Sequence, residues 1–321
     1  MANRSSPSQA PILVTGTHRT GTTWTGKMLA ASGEAAYISE PLNVLHRPGV
    51  MLAPIPHWYT YIGAHNEADY LPALQDTLAL RYHPWAELRS LRSRKDLLRM
   101  GRDGWIFLQG RLRRQRPLLK DPFAVFSIPW FIQRLGYQVV VTIRHPAAFA
   151  SSLKRLNWPF DFSDLLAQDQ LMQDYLAPFR SQMEALITVT PDIVGQASLL
   201  WRMVYQVVHG FQQQNLPDVN GRPALSVVRH EDLSVAPVPG YRALYSQLGL
   251  DFNPRAEKTI LSSSSSENPK ELSKDRVHAV RLDSQANLNN WKRRLTADEI
   301  VHIRETTAEV AQYYYPDQAW D

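Results

Sequence analysis

The chain contains no cysteine. Disulfides and thiolate metal sites are excluded, and a cytoplasmic protein is expected. No uninterrupted apolar stretch is long enough to span a bilayer, so no transmembrane segment is expected. The first ten residues read as a polar tail rather than a leader with a charged start and an apolar core. Histidines number 10, but none are spaced H-x-x-x-H or H-E-x-x-H, so no metal is expected. Charge is sparse as well, at 20% of 321 residues against 44% hydrophobic, which leaves ample apolar material for a core. The small excess of +5 is positive and favours an anionic ligand. No internal repeat is present.

A further absence is local. The apolar run Ile12-Leu13-Val14-Thr15 leads into Gly16-Thr17-His18-Arg19-Thr20-Gly21, and Thr22 and Thr23 open a helical stretch through Met28 and Leu29. This pattern predicts a strand, a tight turn and a helix N-terminus, where backbone N–H groups and the helix dipole converge on a phosphate-sized anion. The spacing fits G-x-x-x-x-G-K-[ST], except that Thr22 stands in place of the lysine and a cation, Arg19, comes earlier. Without that lysine the site lacks the group that holds the β- and γ-phosphates of a nucleoside triphosphate. A different phosphoanhydride is expected.

The segment Arg19-Thr20-Gly21-Thr22-Thr23-Trp24 resembles the 5′-phosphosulfate loop of sulfotransferases, which use 3′-phosphoadenosine 5′-phosphosulfate (PAPS) as sulfuryl donor. A second segment agrees with it. Gln138-Val139-Val140-Val141-Thr142-Ile143 has the continuous apolar character of a buried parallel strand and delivers Arg144-His145-Pro146. Pro146 suits the first turn of the next helix, which carries Ser151, Ser152 and Lys154. The family's 3′-phosphate motif is an arginine at a strand end and a serine eight positions later, as in Arg144 and Ser152. A guanidinium fork and a hydroxyl suit a phosphate monoester.

Lys120-Asp121-Pro122-Phe123 resembles the corresponding segment of the tyrosylprotein and carbohydrate branch, whose lysine approaches the bridging oxygen of the donor. Cytosolic sulfotransferases carry a catalytic histidine two residues after that lysine, where this chain has Pro122. The resemblance implies that Glu40, at the end of Tyr37-Ile38-Ser39, is the catalytic base instead. A carboxylate in hydrogen-bond reach can take the acceptor's proton. The competing readings of Glu40 are a helix cap and an ion-pair partner of Arg19. His18 and His46 are rival bases.

Leu199-Leu200-Trp201-Arg202 is expected to open a long amphipathic helix, with Trp201 in the core. Ala224 to Leu233 reads as a strand followed by a turn, with His230 where related enzymes have a tyrosine. The resemblance further implies donor contacts from Ser273, in Leu272-Ser273-Lys274, and from Arg281, ten residues before Trp291. Ser273 matches only with a few residues deleted ahead of Arg281. The serine run from Ser262 to Ser266 is expected to be a mobile loop.

Apolar strands alternating with longer helical patterns indicate an α/β, P-loop-like three-layer fold, with a central parallel sheet flanked by helices. The strand candidates are Ile12–Thr15, Tyr37–Ser39, Leu118–Lys120, Val139–Ile143 and Leu225–Arg229. Gly16, Glu40, Lys120 and Arg144 close or follow strands, so they converge on the carboxyl edge, where ligands bind in such sheets. A single domain is expected, with residues 44–116 as a helical insert or lid carrying helices near Tyr70–Leu80 and Trp85–Met100. In this insert Arg89, Arg92, Arg94, Arg99, Arg102, Arg111, Arg113 and Arg114 outnumber Glu87, Asp96 and Asp103. Such a stretch faces solvent, an anionic acceptor or a membrane surface. No module accompanies it that would make nucleic acid a partner.

The resulting expectation is transfer of the sulfuryl group from PAPS to an acceptor hydroxyl. The reacting groups would be Glu40, Lys120 and Arg19. The donor would be held by Arg19, Thr20, Gly21, Thr22, Thr23, Trp24, Arg144, Ser152, Ser273 and Arg281. The alternatives are a P-loop-type kinase and a non-catalytic nucleotide-binding protein. No motif encodes the acceptor's identity or the oligomeric state.

Overall fold

A computed structural model describes residues 10–45, 47–188, 192–271 and 280–320. Five strands form one all-parallel sheet: β1 (Ile12–Gly16), β2 (Ala35–Ser39), β3 (Arg116–Lys120), β4 (Gln138–Ile143) and β5 (Leu225–Arg229). Their order is β2-β3-β1-β4-β5. All five coincide with the expected strands, with β2 and β3 starting two residues earlier and β1 and β4 one residue longer. Central β1 and β4 are buried along their whole length, as a continuous apolar run in a parallel sheet requires.

Alternate strand residues face opposite layers. Ile12, Val14, Leu118 and Val140 pack with Met28 and Leu29 of α1 (Thr22–Leu29) and with Tyr241, Leu244 and Ile260 from the helices Pro237–Leu248 and Pro254–Ser264. Leu13, Leu119, Val139 and Val141 point the other way, into a larger core with Phe131, Phe149, Trp201 and Val204. The result is the three-layer α/β architecture with helices on both faces. Connections leaving neighbouring β1 and β4 run in opposite directions, which opens a crevice beyond their carboxyl ends. The amino end of the sheet is fastened instead: buried Arg116 donates to the carbonyls of Ala10 and Leu248 and to Gln138 Oε1.

The helical insert differs in detail from expectation. Its first helix is α2 (Glu67–Leu78), displaced toward the N-terminus from the expected span. The second expected helix is two, α3 (Pro84–Ser90) and α4 (Arg94–Leu112). Leu91 is extended, and Ser93 caps α4 by accepting a hydrogen bond from the Asp96 N–H at 3.2 Å. After α5 (Ile128–Leu135), β4 and α6 (Pro146–Leu156), the long helix spans Ile193–Gln213. It therefore starts well before Leu199, capped by Asp192, whose Oδ1 accepts from the Gly195 N–H at 2.9 Å. The serine run is not the expected loop throughout. Ser262, Ser263 and Ser264 end the Pro254–Ser264 helix, their hydroxyls bonded back to carbonyls three or four residues earlier. The turn expected after β5 is a short helix, His230–Val235.

Candidate active site

The loop joining β1 to α1 is shaped by residues in left-handed conformations. Gly16 has φ 147°, and a Cβ there would lie 2.4 Å from the Thr142 carbonyl oxygen of β4. Gly21 has φ 97°, and a Cβ there would lie 2.6 Å from His230 Nδ1. Between them Arg19 adopts φ 69°, unusual for a residue with a side chain. Thr20 is buried. Its hydroxyl donates to the Thr17 carbonyl at 2.7 Å and shares a hydrogen bond with Thr142 Oγ1 at 3.0 Å. It holds the loop against β4 and does not line the cavity, whereas Gly21, Thr22, Thr23 and Trp24 do. Among the described residues no side chain caps α1, and its first-turn N–H groups, which have no intrahelical partners, lie beside that cavity.

Cations collect on the side of β4. Arg144 follows the strand, with its backbone carbonyl accepting from Trp201 Nε1 at 2.8 Å. Arg144 Nη1 donates to the Arg19 carbonyl at 3.3 Å, and Arg19 Nε donates to Ser152 Oγ of α6 at 3.2 Å. Burial pushes the Arg19 guanidinium down to about 10, and Arg144 and Arg155 beside it push the same way. Burial also lowers Arg144, partly offset by Glu231. Arg155, one turn after Ser152, and Arg294 complete the group. Glu271 pairs with both, at 3.2 Å and 2.6 Å. Packing several guanidinium groups together against burial is costly, and an incoming anion relieves that cost.

The side of β2 and β3 has a different chemistry. Lys120 ends β3 with 1% of its surface exposed, and its Nζ forms an ion pair with Glu40 Oε1. Glu40 follows β2 in a left-handed conformation, φ 52°, and its other oxygen accepts from Asn43 Nδ2 at 2.7 Å. This answers the competing reading in which Glu40 pairs with Arg19: sheet order sets β2 against β3, so Lys120 is the nearer cation. Behind the pair, burial and the neighbouring Glu40 raise the Asp121 carboxyl to about 7. Its oxygens accept from the N–H groups of Leu42 at 2.5 Å and Phe123 at 2.9 Å, fixing the turn that aims both strand ends. His18 is half-buried in the cavity lining and lowered to about 4 by burial and Arg19, with Nδ1 3.2 Å from the Tyr59 hydroxyl.

One cavity of about 650 Å³ joins the two sides. The wall nearest Glu40 is aromatic: Trp58 and Phe123 have ring centroids 4.5 Å apart, and Phe160 and Trp158 stand beside them. Leu45 and Trp58, from the insert, reach this wall, while α4 packs on β2. At the opposite wall Trp24 Nε1 donates to Ser263 Oγ at 2.9 Å, with Tyr241 and His230 edge-on to the indole.

Of the expected residues, Arg19, Gly21, Thr22, Thr23, Trp24, Glu40, Arg144 and Ser152 line this single cavity, and Lys120 backs it through Glu40. Arg281 is exposed and outside the lining, although its neighbours Val280 and Leu282 belong to it. Ser273, Lys274 and the rival base His46 lie outside the described residues. The sequence reading missed Arg155 and Arg294. Arg155 sits one helical turn from Ser152, and Arg294 closes the run Trp291-Lys292-Arg293-Arg294, so helical spacing from the two anchor motifs would have found both. Among the described residues no three His, Asp or Glu side chains are grouped to hold a metal, and no helix is long and apolar enough to cross a membrane.

No protein-family model and no curated protein matches the chain. Among solved structures it is similar to the sulfotransferase domain from the curacin biosynthetic pathway, at 16% identity over 96% of this chain and 98% of that one, TM-score 0.48. It is also similar to mouse sulfotransferase SULT7A1 complexed with PAP, at 11% identity over 97% and 87%, TM-score 0.46. A third is sulfotransferase STF9 from Mycobacterium avium, at 14% identity over 96% and 78%, TM-score 0.45. These scores are too low to carry function across, which leaves the site's own chemistry to do so.

Proposed function

We propose that this chain is a PAPS-dependent sulfotransferase acting on an acceptor hydroxyl, with the motif resemblance favouring the tyrosylprotein and carbohydrate branch. The observation that carries the reading is the distribution of charge around one cavity. A helix N-terminus and a guanidinium cluster lie on one side, and a lysine–carboxylate pair on the other. A nucleotide with two separate anionic ends fits that arrangement. The N–H groups of Gly21, Thr22 and Thr23 would hold the 5′ end. Arg144 and Ser152, supported by Arg155 and Arg294, would hold the 3′-phosphate.

The bound donor supplies a sulfuryl group on a phosphoanhydride. Glu40 takes the proton as the acceptor oxygen bonds to sulfur, and the bridging oxygen leaves with the nucleotide. An ammonium has three donors, so Lys120 can keep Glu40 oriented while donating to that oxygen as charge builds on it. Arg19 offsets charge on the sulfuryl oxygens. The aromatic wall beside Glu40 favours an acceptor whose hydroxyl is carried on an apolar or planar body.

Radiolabelled PAPS with a panel of aryl, alkyl and sugar alcohols tests the transfer, and calorimetry tests the donor site. Adenosine 3′,5′-bisphosphate should bind far more tightly than AMP, and ATP with Mg²⁺ should give no phosphoryl transfer. Equal affinity for the two monoadenosine nucleotides would remove the 3′-phosphate assignment. Phosphorylated product from ATP would make the chain a kinase.

A further inference from the structure

The helix α4 has one buried face and, opposite it, an exposed apolar one. Asp103, Phe107 and Gly110 are buried against the body of the fold. On the opposite side Leu98, Gly101, Trp105, Leu108 and Leu112 recur at alternating steps of three and four, and all five are exposed. At 3.6 residues per turn they fall within an arc of about 80°. Leu98 is 77% exposed, Trp105 60% and Leu112 74%. The adjoining α3 adds Trp85, 75% exposed, and Leu88. Scattered exposed leucines need no explanation, but a continuous stripe of this kind marks a contact surface.

The charges around the stripe choose its partner. Residues 84–114 hold nine cations and three acids. Each acid is already engaged. Glu87 is buried and accepts from the Gly49 N–H at 2.8 Å. Asp103 is buried and paired with Arg47 and Arg102. Asp96 is taken up by Arg99 and the Ser93 cap. What faces outward is Arg92, Arg94, Lys95, Arg102, Arg111, Arg113 and Arg114 beside an apolar stripe. A second copy of the same stripe would bring these cations against their equals in either orientation. An anionic bilayer surface complements both features, since apolar side chains enter the acyl boundary while cations meet the headgroups.

We infer that α4, with α3, is an interfacial helix that seats this protein on an anionic lipid bilayer without crossing it. The inference stands apart from the proposed chemistry, because none of these side chains lines the active-site cavity.

Vesicle flotation with the full chain tests it. The protein should float with vesicles of phosphatidylcholine containing roughly one-third phosphatidylglycerol, should not float with phosphatidylcholine alone, and should be released as salt rises. Combining Leu98→Ser, Trp105→Ser and Leu108→Ser should reduce partitioning about tenfold or more, since these side chains carry the apolar contact. A thermal melt matching the parent chain would show that the variant is folded. Combining Arg111→Gln, Arg113→Gln and Arg114→Gln should weaken binding to anionic vesicles with the stripe intact. Failure to float with anionic vesicles, or undiminished flotation of the serine variant, would overturn the proposal. So would a concentration-dependent dimer that the serine variant dissociates and that has no vesicle affinity. RNA binding as tight as vesicle binding and unchanged in the serine variant would replace it with a nucleic-acid surface.

Discussion

Glu40 and Lys120 are joined twice: the Glu40 N–H donates to the Lys120 carbonyl at 2.7 Å, and Lys120 Nζ returns to the Glu40 carboxylate. The backbone bond continues the β2–β3 ladder one step past the end of β2, onto the last residue of β3, so the carboxylate and the ammonium are aimed by the sheet itself.

That pairing makes the two substitutions separable. Glu40→Gln retains size and hydrogen bonding but cannot accept a proton, and kcat should fall by roughly 10² or more with donor affinity little changed. Lys120→Ala should lower kcat by orders of magnitude with donor affinity also largely retained, as for a group acting mainly in the transition state. His18→Asn should leave substantial activity. Steady-state kinetics with parallel calorimetry reads all three. An active Glu40→Gln enzyme beside an inactive His18→Asn enzyme would exchange the two roles.

At the other end of the cavity, Ser152 has two tasks, since it accepts from Arg19 Nε as well as facing the ligand space. Ser152→Ala should weaken adenosine 3′,5′-bisphosphate by about tenfold, the scale of a hydrogen bond to a charged group, while leaving AMP nearly unaffected. Arg144→Lys should cost more, because an ammonium cannot reproduce a two-pronged contact. Calorimetric titrations with both nucleotides decide the matter, and equal losses for the two would place these residues away from the 3′-phosphate.

Gly21→Ala combines two penalties, a left-handed backbone at φ 97° and a Cβ 2.6 Å from His230 Nδ1. Loss of nucleotide binding is expected, with a destabilisation of about 1–2 kcal/mol from the backbone alone. Adding His230→Ala removes the clash but not the dihedral cost, so the double variant should recover part of the lost melting temperature. No recovery would show that His230 is not what confines the loop.

Acid stability follows from imidazoles whose protonation burial disfavours. Burial lowers His18 to about 4 and His145 and His230 to about 3, with nearby arginines adding to the effect. Unfolded, each titrates near 6.5. Above that pH both states are neutral and the stabilisation is complete. Below it the unfolded chain binds protons that the fold refuses, so stability declines from about pH 6.5 through 4 to 3. Asp121, raised to about 7, and Glu231, also raised by burial, work in the opposite sense but are two groups against three. The melting temperature should therefore fall between pH 7 and 5. His145 stacks on Trp291 at 5.2 Å and neither ring nitrogen has a hydrogen-bond partner among the described residues, so His145→Phe should fit and make the decline shallower. A variant whose slope parallels the parent would exclude His145 as a contributor.

The strands were readable because continuous Val, Ile and Leu runs leave a buried parallel strand as the natural solution, and the glycines at positions 16 and 21 marked the turn between β1 and α1. Sheet order was not readable. It alone puts Lys120 rather than Arg19 against Glu40, and no local pattern encodes which strand lies beside β2. Thr20 shows a second limit: its residue type suits a phosphate contact, yet its hydroxyl is consumed in bracing the loop. The break at Ser93 and the helical serines at 262–264 show serine acting in opposite ways. At Ser93 it caps and starts a helix; at 262–264 it bonds back to the preceding turn, in the last turn of one.

Strand β1 runs as a seam through the active site. Glu40 and Lys120 descend from strands on one side of it, while Arg144 and the helix bearing Ser152 and Arg155 follow the strand on the other. The proposed base and lysine thus belong to one half of the sheet and the groups proposed for the 3′-phosphate to the other, with Arg19 and the loop proposed for the 5′ end at the seam. The loops on the β2–β3 side, with Leu45 and Trp58, are free to be rebuilt around a new acceptor while the grip on the donor stays as it is. Under that division of labour, a lineage built on this framework would change what it modifies far more readily than what it uses to modify it.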